Sequence, residues 1–288
     1  MGQKKGPLFC LTKWMCCGLV LGAFGIGDRA RAGTPPVSAT TPYILHQSYP
    51  KNGEEGRPEQ LFFDALTRLL FKKAGLRFTE QVQQPWKRAY QETLYGPRHV
   101  LYPTTRTAAR EDQLKWVGPI SRTVWNLYGI KNAGWAGRKL GDIFASARIG
   151  VAMGSAREDY LKLRGAKNIV AVQHDDQLLA MLLSDRLDVV AMGAAPLGAA
   201  VSNNDVRDGV KDVGRLASYR VCYLYFALSK DSPQSDVAKL QTSLEELYRD
   251  GQFLELRRDF SLNADPESDF ISSLHDPANH NVGCVDMN

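Results

Sequence analysis

Arg106 and Arg110, in the run Thr104-Thr105-Arg106-Thr107-Ala108-Ala109-Arg110-Glu111, are the side chains of this sequence best equipped to grip a carboxylate. A guanidinium presents a planar fork of donors that matches a carboxylate, and it keeps its charge when water is removed. On chemistry alone either arginine can take that role; the structural alternative is loop chemistry, with Arg110 paired to Glu111 or Asp112. Gly154-Ser155 is the second feature. It separates the strand-like run Arg148–Ala152 from a helical run, Ala156–Leu163, so free N–H groups and the positive end of a helix dipole form an anion site there. Ser155 serves equally well as a helix N-cap. His46, His99 and His174 are isolated in sequence, and each reads as a surface or hydrogen-bonded histidine. No Ser/His/Asp arrangement, phosphate-binding glycine loop, C-x-x-C or other metal-ligand spacing is present. The expectation is therefore no enzyme, no cofactor and no metal site.

The elements that must position these groups read as two α/β units. In the first, Tyr43–His46 is a strand and Pro58 opens a helix along which Leu61, Phe62, Ala65, Leu66, Leu69 and Leu70 recur at helical spacing. Leu76–Val82 (strand), Trp86–Leu94 (helix after Pro85) and His99–Tyr102 (strand) complete a βαβαβ pattern, that of an open α/β sheet. In the second unit Arg148–Ala152, Ile169–Val172 and Leu187–Ala191 are strands, and Ala156–Leu163 and Asp175–Ser184 are helices. Two long extended stretches, Ser121–Lys131 and Tyr219–Ser229, bracket the second unit. They predict a chain that crosses between two lobes twice, with a terminal helix near Gln234–Asp250 returning to the first lobe. Clefts between lobes are favoured sites for small ligands. The tail from about Ala264 onward is polar and predicted to be irregular.

Residues 1–32 read as a secretory signal peptide. Lys4, Lys5 and Lys13 give a basic start, Trp14–Ile26 is an apolar run of 13 residues, and Ala30-Arg31-Ala32 is a small-x-small cleavage site. A membrane span needs about 20 apolar residues. The whole chain of 288 residues carries a net charge of +5, but beyond residue 32 there are 31 basic and 30 acidic residues, a net +1. The basicity belongs to the leader, and no basic stripe calls for nucleic acid. Outside the leader stand Cys222 and Cys284, either one disulfide in an oxidising compartment or two separate thiols.

Four segments, in this order and at these distances, resemble family 3 of the extracellular solute-binding proteins, the periplasmic receptors of polar amino acid ABC transporters. They are Pro85-Trp86-Lys87-Arg88-Ala89, Thr104–Glu111, Trp116-Val117-Gly118-Pro119-Ile120, and Ile149–Ser155 followed by Asp159-Tyr160. The match covers most of residues 42–260. It implies an α/β, two-lobe periplasmic binding protein-like fold (type II), each lobe an open sheet flanked by helices and joined by two hinge strands. The signal peptide would span 1–32, lobe 1 residues 33–125 and 224–288, and lobe 2 residues 126–223.

The resemblance also implies site roles. Family members hold the ligand carboxylate with an arginine six residues before an aromatic and nine before a proline, and Arg110 stands so before Trp116 and Pro119. Thr105 matches a position where a backbone or hydroxyl group receives the ligand, and Arg106 remains an alternative clamp. Ser155 and the N–H of Ala156 would meet the carboxylate from the opposite side. Trp86, Trp125 and Tyr49 are candidates to wall the site, with core packing as the alternative for each. One departure stands out. The acid that holds an amino acid's ammonium falls on Gly193, so either another acid substitutes (Glu54, Glu55 or Asp64) or the ligand is not an α-amino acid. Asp188 reads as structural.

The expected function is capture of a small carboxylate-bearing solute by a monomer in the periplasm, for presentation to the permease of an ABC transporter. Two alternatives stay open: an exported dehydratase of cyclic carboxylates on the same scaffold, or the ligand-sensing partner of a membrane kinase.

Overall fold

A computed structural model describes residues 41–47, 58–80, 84–173, 175–193, 209–262 and 283–287. The expected leader, residues 263–282 of the polar tail, Tyr49, Glu54, Glu55 and His174 lie outside the described residues, whereas the end of the tail, predicted to be irregular, includes a strand. All described residues belong to one compact unit, Val37–Asn288.

In chain order the first half contains β1 (Tyr43–Gln47), α1 (Pro58–Lys73), β2 (Phe78–Glu80), α2 (Trp86–Tyr95) and β3 (His99–Thr105), then a 3-10 turn at Ala108–Gln113 and β4 (Leu114–Ile130). The second half adds α3 (Leu140–Ser146), β5 (Arg148–Ala152), α4 (Ala156–Leu163), β6 (Asn168–Val172), α5 (Asp175–Leu183) and β7 (Val189–Met192). The chain returns through β8 (Val213–Ser229) to α6 (Gln234–Arg249) and α7 (Gln252–Asp259), and β9 (Cys284–Asp286) closes the sequence of elements. The strands make one sheet in the order β2-β1-β3-β8-β4-β7-β5-β6, with β9 also on β8. The outer strands pair in parallel within each half, β1 with β2 and β3, and β5 with β6 and β7.

β4 and β8 carry the sheet from one half to the other. Each is 17 residues long, and they pair antiparallel from Leu114↔Ser229 to Ile130↔Val213. Sequence reading found only parts of them, Ser121–Lys131 and Tyr219–Ser229. The missing part of β4 contains Lys115, Gly118 and Pro119, which carry no strand signal.

Alternation of side chains across the pleat gives each half two cores, one per face. On β3, Val100 and Tyr102 face a core filled by Phe62, Leu66, Leu70 and Phe71 of α1 and Leu240, Leu244 and Leu247 of α6. Leu101 points the other way, to Ala89 of α2. On β7, Val189 and Ala191 join Ile143, Phe144 and Leu161, whereas Val190 and Met192 join Leu178 and Leu182 of α5. The core changes hands between Ile120 and Trp125 on β4 and between Cys222 and Leu224 on β8. Cys222 and Cys284 form a disulfide that ties β9 to β8, with Cα atoms 4.0 Å apart.

Candidate functional site

α2 is built to face two ways. Pro85 fixes its start, and the helical repeat divides its residues among flanks. Trp86 and Tyr90, four apart, share one flank and stack with ring centroids 4.9 Å apart and planes at 12°. Ala89 and Thr93 are buried against the sheet. Arg88 and Glu92 lie on the remaining flank and pair at 3.1 Å.

Arg110 comes from the 3-10 turn after β3 and fills the space beside the first flank. Its guanidinium carbon is 4.8 Å from the Trp86 ring centroid and 4.8 Å from that of Tyr90. Although the residue is only 3 % exposed, its Nη2 reaches into the second half, donating to the carbonyl of Gly154 at 3.2 Å and to Asp159 Oδ2 at 3.5 Å. Burial pulls its pKa down from the usual arginine value, opposed by Tyr90 and Asp159. Neither Glu111 nor Asp112 is its partner. Arg106 takes Glu111 in a two-point ion pair, through Nε at 2.7 Å and through Nη2, and lies over the rings of Tyr225 and Trp116. Thr105, at the end of β3, is half-buried and pairs with Leu224 of β8.

The opposing wall is the turn from β5 to α4. Gly154 adopts φ +71°, which a side chain would strain, and a Cβ there would stand 3.2 Å from Lys87 Cγ of α2. The two halves therefore touch at this turn. Ser155 is the N-cap, its Oγ accepting from Glu158 N at 3.2 Å, while the N–H of Gly154 donates to the Glu158 carboxylate. Ala156, the first residue of α4, is 7 % exposed behind Ser155. The anion position of the turn is thus occupied by the chain's own Glu158, which Lys162 also pairs.

Of the aromatic candidates, Trp86 stands beside Arg110, and Trp125 does not wall a cleft. It has no exposed surface and packs in the second core on Tyr160 and Tyr219, at centroid distances of 6.0 and 6.1 Å, so the packing alternative holds for it. At Gly193, the position lacking an acid, the carbonyl accepts from Tyr128 Oη at 3.4 Å, and a Cβ would stand 3.4 Å from Thr123 Oγ1. Asp64 accepts from Tyr102 Oη at 3.0 Å, and Asp188 is bound to Arg148 at 2.8 Å, the structural place expected for it.

His46 and His99, isolated in sequence, are hydrogen-bonded as expected, and their partner is each other. β1 and β3 are neighbours in parallel register, with Ile44 opposite His99, so His46 and His99 fall on the same face two residues apart. His46 Nε2 and His99 Nδ1 meet at 2.7 Å, Gln84 Nε2 lies 3.1 Å from His46 Nδ1 and 2.8 Å from Glu92 Oε2, and Glu92 Oε2 is 3.9 Å from His46 Nε2. Burial lowers the His46 pKa to about 4, helped by His99 and opposed by Glu92; burial also lowers that of His99. The hydrogen bond from Gln84, followed by Arg88, holds the Glu92 carboxyl below its usual range. One sequence signal could have found this cluster: a histidine in each of two strands that a βαβ unit places side by side.

No known protein family and no curated protein matches the sequence. Solved structures do match the fold. A histidine kinase sensor domain with similarity to periplasmic binding proteins is 16 % identical, with a TM-score of 0.66 over 77 % of this chain and 96 % of its own. The arginine-, lysine-, histidine-binding protein ArtJ from Geobacillus stearothermophilus is 15 % identical, with a TM-score of 0.64 over 81 % and 100 % of the two chains. The ancestral amino acid-binding protein AncCDT-1, a precursor of cyclohexadienyl dehydratase, is 16 % identical, with a TM-score of 0.60 over 77 % and 95 %. The chain has the α/β fold of periplasmic binding proteins, as the four sequence segments implied.

Proposed function

We propose that this protein is an exported solute-binding protein that closes two lobes on a small carboxylate-bearing ligand, and that Arg110 is the ligand's principal anchor. The observation that carries the proposal is the setting of Arg110. It is a buried cation set beside the stacked rings of Trp86 and Tyr90, and its polar partners across the lobe boundary are a carbonyl and the carboxylate of Asp159 at a long 3.5 Å. Asp159 has a half-exposed side chain, so a ligand carboxylate that offers two shorter hydrogen bonds displaces it at little cost. Ser155 and the N–H of Ala156 then receive the ligand from the second lobe, as Glu158 turns aside. Thr105 lines the first lobe, Trp86 supplies an apolar wall, and Arg106 keeps the turn in place through Glu111. A lobe boundary near residue 125 on β4 and residue 223 on β8 is supported by the change of core there.

Ligand contacts made on both walls favour the closed form, and a membrane permease of the ABC type or a sensor recognises that form by population shift. His46 and His99 lie by Glu92, on a different flank of α2 from Arg110. Among the described residues no helix is long and apolar enough to cross a membrane, and removal of residues 1–32 on export would leave the chain in the periplasm.

Mass spectrometry of the small molecules that copurify with the protein identifies the ligand class, and calorimetry then compares amino acids with carboxylates lacking the amine. Arg110→Ala is expected to weaken the best ligand roughly 100-fold, about 2.7 kcal/mol. Unchanged affinity in that variant removes Arg110 from the site. Because Gly193 offers no acid, removal of the ligand's amine is expected to cost less than tenfold; a larger loss shows that another acid holds an ammonium.

A further inference from the structure

His46, Glu92 and His99 form a cluster that the binding function leaves unused. Each offers a ligand atom, and these atoms lie within 4.8 Å of one another. The two imidazoles have centroids 4.9 Å apart and planes at 17°, which with an N···N separation of 2.7 Å means that they meet edge to edge through their nitrogens.

Donor bookkeeping shows what sits between them. A carboxylate only accepts, so the Gln84 nitrogen 2.8 Å from Glu92 Oε2 is an amide donor, and its second hydrogen points to His46 Nδ1 at 3.1 Å. His46 Nδ1 is therefore an acceptor, its Nε2 carries the proton, and that proton is donated to His99 Nδ1. A single proton occupies the centre of two imidazoles and a carboxylate.

We propose that His46 Nε2, His99 Nδ1 and Glu92 Oε2 are a three-ligand site for a divalent transition metal of the zinc class, which replaces that central proton. Two imidazoles and one carboxylate suit such an ion and leave a fourth position for water. With bonds of about 2.0–2.1 Å in tetrahedral geometry, ligand atoms stand about 3.3 Å apart. The 2.7 Å separation must open and the 3.9 Å separation must close, each by about 0.6 Å, Glu92 must approach His99 from within 4.8 Å, and both imidazoles must turn so that their nitrogens converge on the ion instead of on each other. On binding, the proton moves from His46 Nε2 to Nδ1 and is donated to the Gln84 carbonyl after an amide flip, the usual outer support of a metal-bound histidine; the flip gives up the hydrogen bond from Gln84 to Glu92, whose carboxylate moves to the ion.

Access comes from an open cavity of about 460 Å³ lined by Arg88, Gln91, Glu92, Tyr95, Gly96 and His99. Gly96 is needed there, since a Cβ would stand 2.6 Å from His99 Nε2. Arg88 opposes the ion by pairing with Glu92 Oε1 at 3.1 Å, but its side chain is 71 % exposed and free to swing into water.

The test is titration of the metal-stripped full chain with Zn²⁺, with Mg²⁺ as the hard-cation control. One Zn²⁺ per chain and no Mg²⁺ are expected. His99→Gln and Glu92→Gln are each expected to weaken Zn²⁺ roughly 100-fold, whereas Arg88→Gln, which removes the competing cation, tightens it several-fold. Circular dichroism of the metal-free variants separates loss of ligation from loss of folding. The site is overturned if wild-type protein binds no Zn²⁺, or if folded His99→Gln and Glu92→Gln bind it within twofold of wild type, in which case other residues hold it. A weakening by Arg88→Gln also counts against the site.

Discussion

Arg98 and Arg110 are both 3 % exposed, yet their surroundings differ in the one respect on which the proposed binding role of Arg110 rests. Arg98, between α2 and β3, pairs with Asp236 of α6 at 3.0 Å, and that carboxylate is itself 10 % exposed and also accepts from Tyr43 Oη at 3.1 Å. The Tyr43 ring covers the guanidinium at 4.4 Å. The trio packs in one core, where Arg98 Nη2 is the nitrogen that pairs while its Nε and Nη1 have no hydrogen-bond partner. Arg110 spans the two halves and meets a carboxylate 58 % exposed at 3.5 Å. A buried cation with a wet, distant partner is under-compensated, and its lowered pKa expresses the same shortfall. Burial of the partner, more than burial of the arginine, distinguishes the two.

The largest expected effect breaks the pair that is fully enclosed. Arg98→Ala strands the Asp236 charge in the core and should cost about 3–5 kcal/mol in urea or guanidinium unfolding. Arg110→Ala leaves Asp159 in water and forfeits mainly the stacking on Trp86 and Tyr90, about 1–2 kcal/mol. The comparison fails if the two variants destabilise equally. Ligand affinity should divide the other way: lost in Arg110→Ala, and kept in whatever folded population Arg98→Ala retains.

Asp159 sharpens the contrast. If it is only a stand-in for a ligand carboxylate, Asp159→Asn removes a competitor, and the ligand should bind roughly two- to fivefold more tightly, the scale of an exposed ion pair. Weaker binding by the same variant would give Asp159 a different task, holding a cationic part of the ligand and so replacing the acid absent at Gly193. Calorimetry of the variant with the same ligand distinguishes the two outcomes by sign.

The sequence carried the regular elements well because their signals are local. β5 and α4 end where Arg148–Ala152 and Ala156–Leu163 were read, since Gly154 and Ser155 punctuate the chain between them. The resemblance singled out Arg110 by its distance from Trp116 and Pro119, but the residues around it were not legible. Trp86 and Tyr90 reach it from another element, and the closure of the Gly154 turn by Glu158 depends on which rotamer wins at a helix start. Trp125 looked like a hinge aromatic because it lies in a crossing strand; the pleat turns it inward to Tyr160 and Tyr219, and no local pattern reports which face of β4 is covered. The His46–His99 contact is separated by 53 residues and follows from strand adjacency alone.

Arg148 provides a third guanidinium and the smallest effect. It holds Asp188 through two nitrogens, at 2.8 and 3.1 Å, and Asp185 at 3.1 Å, on the outer side of the second half. Its side chain is 43 % exposed, so solvent screens the interaction, unlike either buried arginine. The hydrogen bond from Arg148 holds the Asp188 carboxyl below its usual range. A carboxyl whose pKa is depressed by folding stabilises the native state above the unfolded value, about 3.9, and loses that contribution as pH falls through the folded value. Asp188→Asn should therefore lower stability by a constant small amount at pH 7 and pH 5, and the gap from wild type should shrink below about pH 4. Urea unfolding at pH 7, 5 and 3.5 measures it. A gap that persists undiminished at the lowest pH would mean that the carboxylate's charge is irrelevant and that Asp188 acts only through hydrogen bonds that asparagine cannot copy.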